Sequence, residues 1–191
     1  MMAVRPPPYR GDTRRGEIEL LEEGPIFQNA YVEVFNDRVR FPARGGAAGN
    51  DGTSFRWRWA APYGVVVLPR LPDGSLLLIE IFRHTERGWR LEAPRGFGAS
   101  DQSPDEAARR EVLEETGHAV LTLTPVRTIG ASDYPLHLFI ADITAEPVSS
   151  QTDENEAIRA CHRFGRDQRP ALLADTRIHD AETLFLISVA G

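Results

Sequence analysis

The stretch RREVLEETG at positions 109–117 carries three glutamates, Glu111, Glu114 and Glu115. They stand at i, i+3 and i+4, so a helix would put all three on one side. Three features make this odd for a purely structural helix. Like charges at i,i+4 cost roughly 0.2–0.5 kcal/mol per pair. The carboxylates lie toward the helix C-terminus, where the helix dipole favours cations. Glu111 and Glu115 also lie beside the apolar positions Ala108 and Val112, and only Glu114 has a cation four residues before it, Arg110. A bound divalent cation would resolve all three conflicts. Clustered carboxylate oxygens are hard donors suited to Mg²⁺ or Mn²⁺, ions that also hold water and substrate phosphates. The alternative is a solvated acidic face bridged to arginines elsewhere, the usual meaning of a charge run.

The element that must position these residues has clear ends. Upstream, SPDE supplies Ser103 as N-cap, Pro104 at the first helical position and Glu106 three residues after the cap. That is a capping box with proline where its missing N–H does no harm. Downstream, Gly117 suits the left-handed residue that ends a helix. The spacing predicts a helix over about 104–116.

Before that helix, YGVVVLP and SLLLIEIFR flank Asp73-Gly74 and read as a hairpin. AYVEVFNDRVRF reads as another, turning near Asn36-Asp37. FRWRWA alternates as a strand, with Phe55, Trp57 and Trp59 on one face and Arg56 and Arg58 on the other. RGGAAGNDG at 44–52 reads as a flexible loop; no lysine or helix start follows, so it is not taken as a phosphate cradle. After the helix come strands near 119–129 and 136–143, a short helix in QRPALLAD, and a last helix to about 189 capped by Asp180. Strands first, a helix in the middle and helices at the end fit an α+β or α/β fold, with a mixed sheet covered on both faces.

From Gly96 onward, GFGASDQSPDEAARREVLEETGH resembles the box of the Nudix hydrolases, G-x5-E-x7-R-E-U-x-E-E-x-G-U with U apolar. Gly96, Arg110, Glu111, Val112, Glu114, Glu115 and Gly117 fall in register. Two positions depart: Gln102 replaces a glutamate and His118 an apolar residue. Gln102 can still accept a hydrogen bond but carries no charge to pair with Arg110. Around the box, IEIFRHTERGWRLEAPRGFG, DENEAI at 153–158 and TRIHDAETLFLI resemble the ADP-ribose pyrophosphatase branch.

The resemblance implies an α/β/α sandwich with a mixed sheet and an N-terminal antiparallel β extension. It implies Mg²⁺ or Mn²⁺ on Glu111, Glu115 and Glu114, with the backbone carbonyl of Arg95 as a further ligand. Gly96, Gln102, Arg110 and Gly117 would shape the box. Arg83 and Glu92 match the branch's arginine at a strand end and glutamate before the box, and would meet substrate. Trp57 and Trp59 offer a stacking surface, a dimer interface or ordinary core; interface or core is preferred, and Trp57 is kept as a substrate-binding candidate. The implied reaction is metal-dependent hydrolysis of a pyrophosphate bond in a nucleoside diphosphate derivative, first ADP-ribose to AMP and ribose 5-phosphate. In the acidic loop, Glu154 is the expected general base, with Glu156 second and Glu114 or Glu92 after it. The branch usually carries a proline loop after the box, and Pro135 stands near that place among poorly matching residues. The rivals are therefore a nucleotide-sugar, dinucleotide or dinucleoside polyphosphate hydrolase of the same fold, or a non-catalytic ligand-sensing module, toward which Gln102 leans.

Composition bounds the rest. The 191 residues read as a disordered arm at 1–16, a β region at 17–60 that serves dimerisation, and a Nudix domain at 61–191. A net charge of −6 argues against a general nucleic-acid binder. One cysteine, Cys161, allows no internal disulfide and fits a reducing cytoplasm. No long apolar run or secretory signal is present, so the expected setting is cytoplasmic, without membrane or nucleic-acid partners, as a homodimer. Cys161-His162 is set aside as a nucleophile pair because neighbouring strand residues point to opposite faces.

Overall fold

A computed structural model describes residues 7–43, 49–131, 133–150 and 157–190. The chain divides into two compact units, Met1–Ala60 and Ala61–Gly191. Among the described residues, no helix is long and apolar enough to cross a membrane.

The first unit is an antiparallel sheet of four strands: β1 (Glu19–Glu22), β2 (Pro25–Gln28), β3 (Val32–Phe41) and β4 (Asn50–Trp59). β3 is central, with β1 and β2 along one side and β4 along the other. The hairpin expected near Asn36-Asp37 is absent; both residues lie in the middle of β3. Their turn preference is overridden by pairing. Asp37 is buried, accepts a hydrogen bond from the Gly24 N–H at 3.0 Å and is paired with Arg56. Asn50–Gly52, expected in a loop, extend β4 because the β3–β4 ladder runs unbroken from Val32↔Trp59 to Phe41↔Asn50. Of the expected N-terminal arm, residues 13–15 form a short 3₁₀ turn capped by Asp12, and Arg10 donates to the Leu20 and Leu21 carbonyls.

The second unit holds a seven-stranded sheet. Its strands are β5 (Gly64–Arg70), β6 (Leu76–Arg83), β7 (Gly88–Glu92), β8 (Arg95–Phe97), β9 (Val120–Ala131), β10 (Tyr134–Ile143) and β11 (Ile158–Phe164). The order is β11-β6-β5-β10-β9, with β7 on β6 and β8 on β5. β10 runs parallel to β5 and the other pairs are antiparallel, so the sheet is mixed. The β5–β6 turn sits at Asp73-Gly74, where Gly74 takes φ 81° and Asp73 accepts from the Ser75 N–H.

Strand alternation divides the core between two faces. Val65, Val67 and Leu77 pack under helix α1 (Pro104–Thr116) with Ala107, Ala108 and Val112. Val66, Leu68, Leu76 and Leu78 pack on the opposite face. They meet Leu172 of the short helix α2 (Arg169–Leu172) and Leu186 and Ile187 of helix α3 (Ala181–Val189). The result is an α/β/α sandwich with a mixed sheet, accompanied by the N-terminal antiparallel β unit. α1, the Asp73-Gly74 turn and the Asp180 cap of α3 stand where the sequence put them.

Candidate functional site

Helix α1 is fixed at both ends by local chemistry. Ser103 Oγ accepts from the Glu106 N–H while the Glu106 carboxylate accepts from the Ser103 N–H at 2.8 Å. Gly117 closes the helix at φ 75°, the left-handed region a glycine enters without strain. The buried face of α1 consists of Ala107, Ala108, Glu111, Val112, Glu115 and Thr116. Two of the three glutamates are thus on the apolar side, and Glu115 is fully buried. Cys161 directs its thiol to the Glu115 carbonyl at 3.7 Å, while His162 bonds to Glu80, so the two neighbours do face apart.

The strand before the helix shapes the pocket around Glu111. β8 pairs with β5, putting Gly96 opposite Val65 beneath α1. A Cβ at position 96 would overlap the Glu111 carboxylate, so the box glycine is required by close approach. Arg110 ties these parts together. Its guanidinium lies 2.7 Å from Glu111 Oε1 and 2.9 Å from Glu114 Oε2, and it donates to the Phe97 carbonyl at 3.1 Å. Glu114 is therefore not the sole acid held by Arg110: Glu111 shares the same cation, which softens the repulsion read from spacing. Burial works against the charge on Arg110, but the Glu111 and Glu114 carboxylates outweigh it and raise the guanidinium pKa.

Among the described residues, no group of three or more His, Cys, Asp or Glu side chains is arranged to hold a metal ion. The donor chemistry of α1 nevertheless fits one. Glu111 and Glu115 are hard oxygen donors on one buried face, and Gly96 leaves room at Glu111 that any side chain would fill.

Arg83 and Glu92, expected at the substrate, are brought together. Arg83 makes two parallel bonds to Glu92, Nε to Oε1 at 2.9 Å and Nη2 to Oε2 at 2.6 Å. Such a fork fixes the guanidinium plane. Arg95 approaches the same carboxylate, Nε to Oε2 at 3.4 Å, and reaches on to Asp180 and Glu182 at the start of α3. Thr183 adds a buried link, accepting from the Ala93 N–H at 2.9 Å. Asp180 was legible as a cap, but its second role as a partner of Arg95, and the Thr183 bond, join positions 85 and 90 residues apart and left no local signal.

Gln102 meets its surroundings through its backbone: its carbonyl accepts from the Tyr63 hydroxyl at 2.5 Å. Tyr63 was not singled out in the sequence. Trp57 lies in the N-terminal unit, on an open face of β4 where Phe55 and Trp57 are 61% and 56% exposed. Trp57 is therefore not part of the core of the N-terminal unit. Glu154 and Glu156 lie outside the described residues.

The NUDIX domain family model matches residues 60–183. An ADP-ribose pyrophosphatase of Bacillus subtilis (strain 168) is 24% identical over 176 residues, covering 90% of this chain and 91% of that protein. A GDP-mannose pyrophosphatase of Yersinia enterocolitica is 29% identical over 136 residues, covering 65% of this chain and 71% of that protein. The crystal structure of an ADP compounds hydrolase superposes with a TM-score of 0.69 at 20% identity, over 90% of this chain and 91% of that one, a likeness of fold.

Proposed function

The chain belongs to the NUDIX family, whose members hydrolyse pyrophosphate bonds in nucleotide-derived substrates, and from that premise we propose that its substrate is ADP-ribose, cleaved to AMP and ribose 5-phosphate. The observation that carries this reading is the apposition of Gly96 and Glu111 on the buried face of α1, beside Glu115. The resemblance of the flanking segments to the ADP-ribose branch supports the choice of substrate.

Glu111 and Glu115 would hold Mg²⁺ or Mn²⁺, aided by the Arg95 carbonyl, with Glu114 kept near by Arg110. When bound there, the ion would neutralise phosphate oxygens and lower the pKa of a bound water. Arg83, oriented by Glu92, would meet the diphosphate. Glu154 takes the proton from the attacking water, whose oxygen bonds to phosphorus as the bridging P–O bond breaks; Glu156 is second in line. Two copies would associate through the N-terminal units, covering the open Phe55 and Trp57 face and bringing Trp57 toward substrate. A reducing cytoplasm suits the lone Cys161.

A turnover assay with Mg²⁺ on ADP-ribose, GDP-mannose, a dinucleotide and a dinucleoside polyphosphate tests this. The highest kcat/KM is expected for ADP-ribose. Preference for GDP-mannose would move the reading to a nucleotide sugar, a choice that the Yersinia relative keeps open. Binding without turnover on every substrate would identify a sensing module instead.

A further inference from the structure

We propose that Tyr63 is a positioning residue, which clasps the loop between β8 and α1 and so sets Glu111 against Gly96. The inference rests on the metal-site reading of Glu111 and deepens it.

Three contacts converge on this one side chain and its backbone. The Gly98 N–H donates to the Tyr63 carbonyl at 3.0 Å, holding the near end of the loop. The phenol O–H donates to the Gln102 carbonyl at 2.5 Å, holding the far end one residue before the Ser103 cap. Between them Gly98 lies on the ring, so close that a Cβ there would overlap the ring carbons. The ring itself is fixed from below. It belongs to the cluster of Ala107, Ala108 and Val112 on α1, and it meets the His137 ring edge-on at 5.6 Å.

The loop so held has Gly96 two residues before it and α1 immediately after it. Its length and tilt therefore decide where the Glu111 carboxylate comes to rest. Glycine at 98 and a donor at 63 are complementary: one gives room for the ring, the other uses the ring's reach to tie down a carbonyl five helix-side residues short of Ala107. Burial raises the phenol pKa, and the charge of Glu106 adds to the rise, so the hydroxyl remains a donor across the neutral range. The acceptor is backbone, so this contact does not depend on the side chain at 102.

Tyr63→Phe keeps the ring and removes only the donor. The test compares it with wild type and with Gln102→Glu, which leaves the carbonyl acceptor in place. Amide exchange by mass spectrometry reads the loop, calorimetric Mg²⁺ titration reads the site, and thermal melting reads the whole fold. Tyr63→Phe is expected to speed exchange over residues 99–103 by about fivefold and weaken Mg²⁺ binding by a similar factor, with Tm held within about 3 °C. Gln102→Glu should not speed loop exchange. Unaltered exchange at 99–103 in Tyr63→Phe would overturn the clasp. So would faster exchange throughout the domain with a large fall in Tm, which would make Tyr63 an ordinary core residue. If wild type binds no Mg²⁺ while loop exchange still responds to Tyr63→Phe alone, the clasp stands and the metal reading fails.

Discussion

Gly96 and Glu111 touch: the helix carboxylate rests against the strand residue, and a Cβ at position 96 would overlap it. Gly96 is not in the left-handed region, so its requirement is steric and not conformational. Gly96→Ala should therefore leave the backbone unstrained while displacing the Glu111 carboxylate. Mg²⁺ affinity is expected to fall by about tenfold or more, the scale of misoriented metal ligands. Calorimetric titration on protein with an unchanged circular dichroism spectrum checks this; retained affinity would remove Glu111 from the site.

Glu115 is fully buried and Glu111 nearly so, and each loses a charge as glutamine with little change in shape. Glu111→Gln and Glu115→Gln should each weaken Mg²⁺ binding more than about tenfold, since carboxylate count sets affinity. The fold without metal should survive both changes, since glutamine keeps the shape of the side chain and only one charge is lost in each. A fall in both metal affinity and apo stability would mean the carboxylates are structural partners and no ligands.

The acid limb of stability has a separate source. Glu80 accepts from Arg159 at 2.5 Å and lies 2.8 Å from His162. The hydrogen bond from Arg159, then that from His162, hold its pKa at about 2, down from 4.5. A carboxylate depressed by folding stabilises the native state fully above its unfolded pKa, and that contribution is lost as pH falls. The window runs from about 4.5 down to about 2. Glu80→Gln should lower stability at pH 7 and flatten the stability curve across that window. Denaturant melts at stepped pH test it, and parallel curves for wild type and variant would contradict it.

What the sequence showed and hid follows the range of the interactions. α1 was legible because its caps, Ser103 with Glu106 and Gly117, act within a few residues of the helix. The final helix was legible through Asp180 for the same reason. Asn36-Asp37 misled because a local turn preference was weighed without Arg56 and Gly24, which meet Asp37 only after the chain folds back. The same holds for Arg95 with Asp180 and Tyr63 with Gln102, pairs separated by 85 and 39 residues. Types and spacing disclosed the glutamate helix; they could not disclose which backbone carbonyl a tyrosine would reach.

The open face of β4 gives a test of association. Phe55 and Trp57 stand on one side of the strand while Arg56 and Arg58 on the other are paired with Asp37 and Glu33. Exposed aromatics of this kind favour an interface. Light scattering at micromolar concentration should give a dimer for wild type. Trp57→Glu, which places a charge in the proposed interface, should give a monomer. A monomeric wild type would contradict the homodimer.

The last prediction concerns the general base. Glu111 and Glu114 are held by Arg110 and Glu92 by Arg83, so each is already committed to an ion pair. Glu115 is buried on the helix face proposed for metal. A carboxylate elsewhere must then receive the proton from water, and the acidic segment TDENEA carries Asp153, Glu154 and Glu156. Loops supply such residues readily on a rigid scaffold. Glu154→Gln should lower kcat by about 10²–10⁴-fold, the usual contribution of general acid–base catalysis. KM and Mg²⁺ affinity should change little, because the lost interaction belongs to the transition state. Glu156→Gln should lose far less. Near-normal turnover in Glu154→Gln beside a dead Glu156→Gln would exchange their roles. Activity in both would move the base to Glu92 or Glu114, which are paired with Arg83 and Arg110.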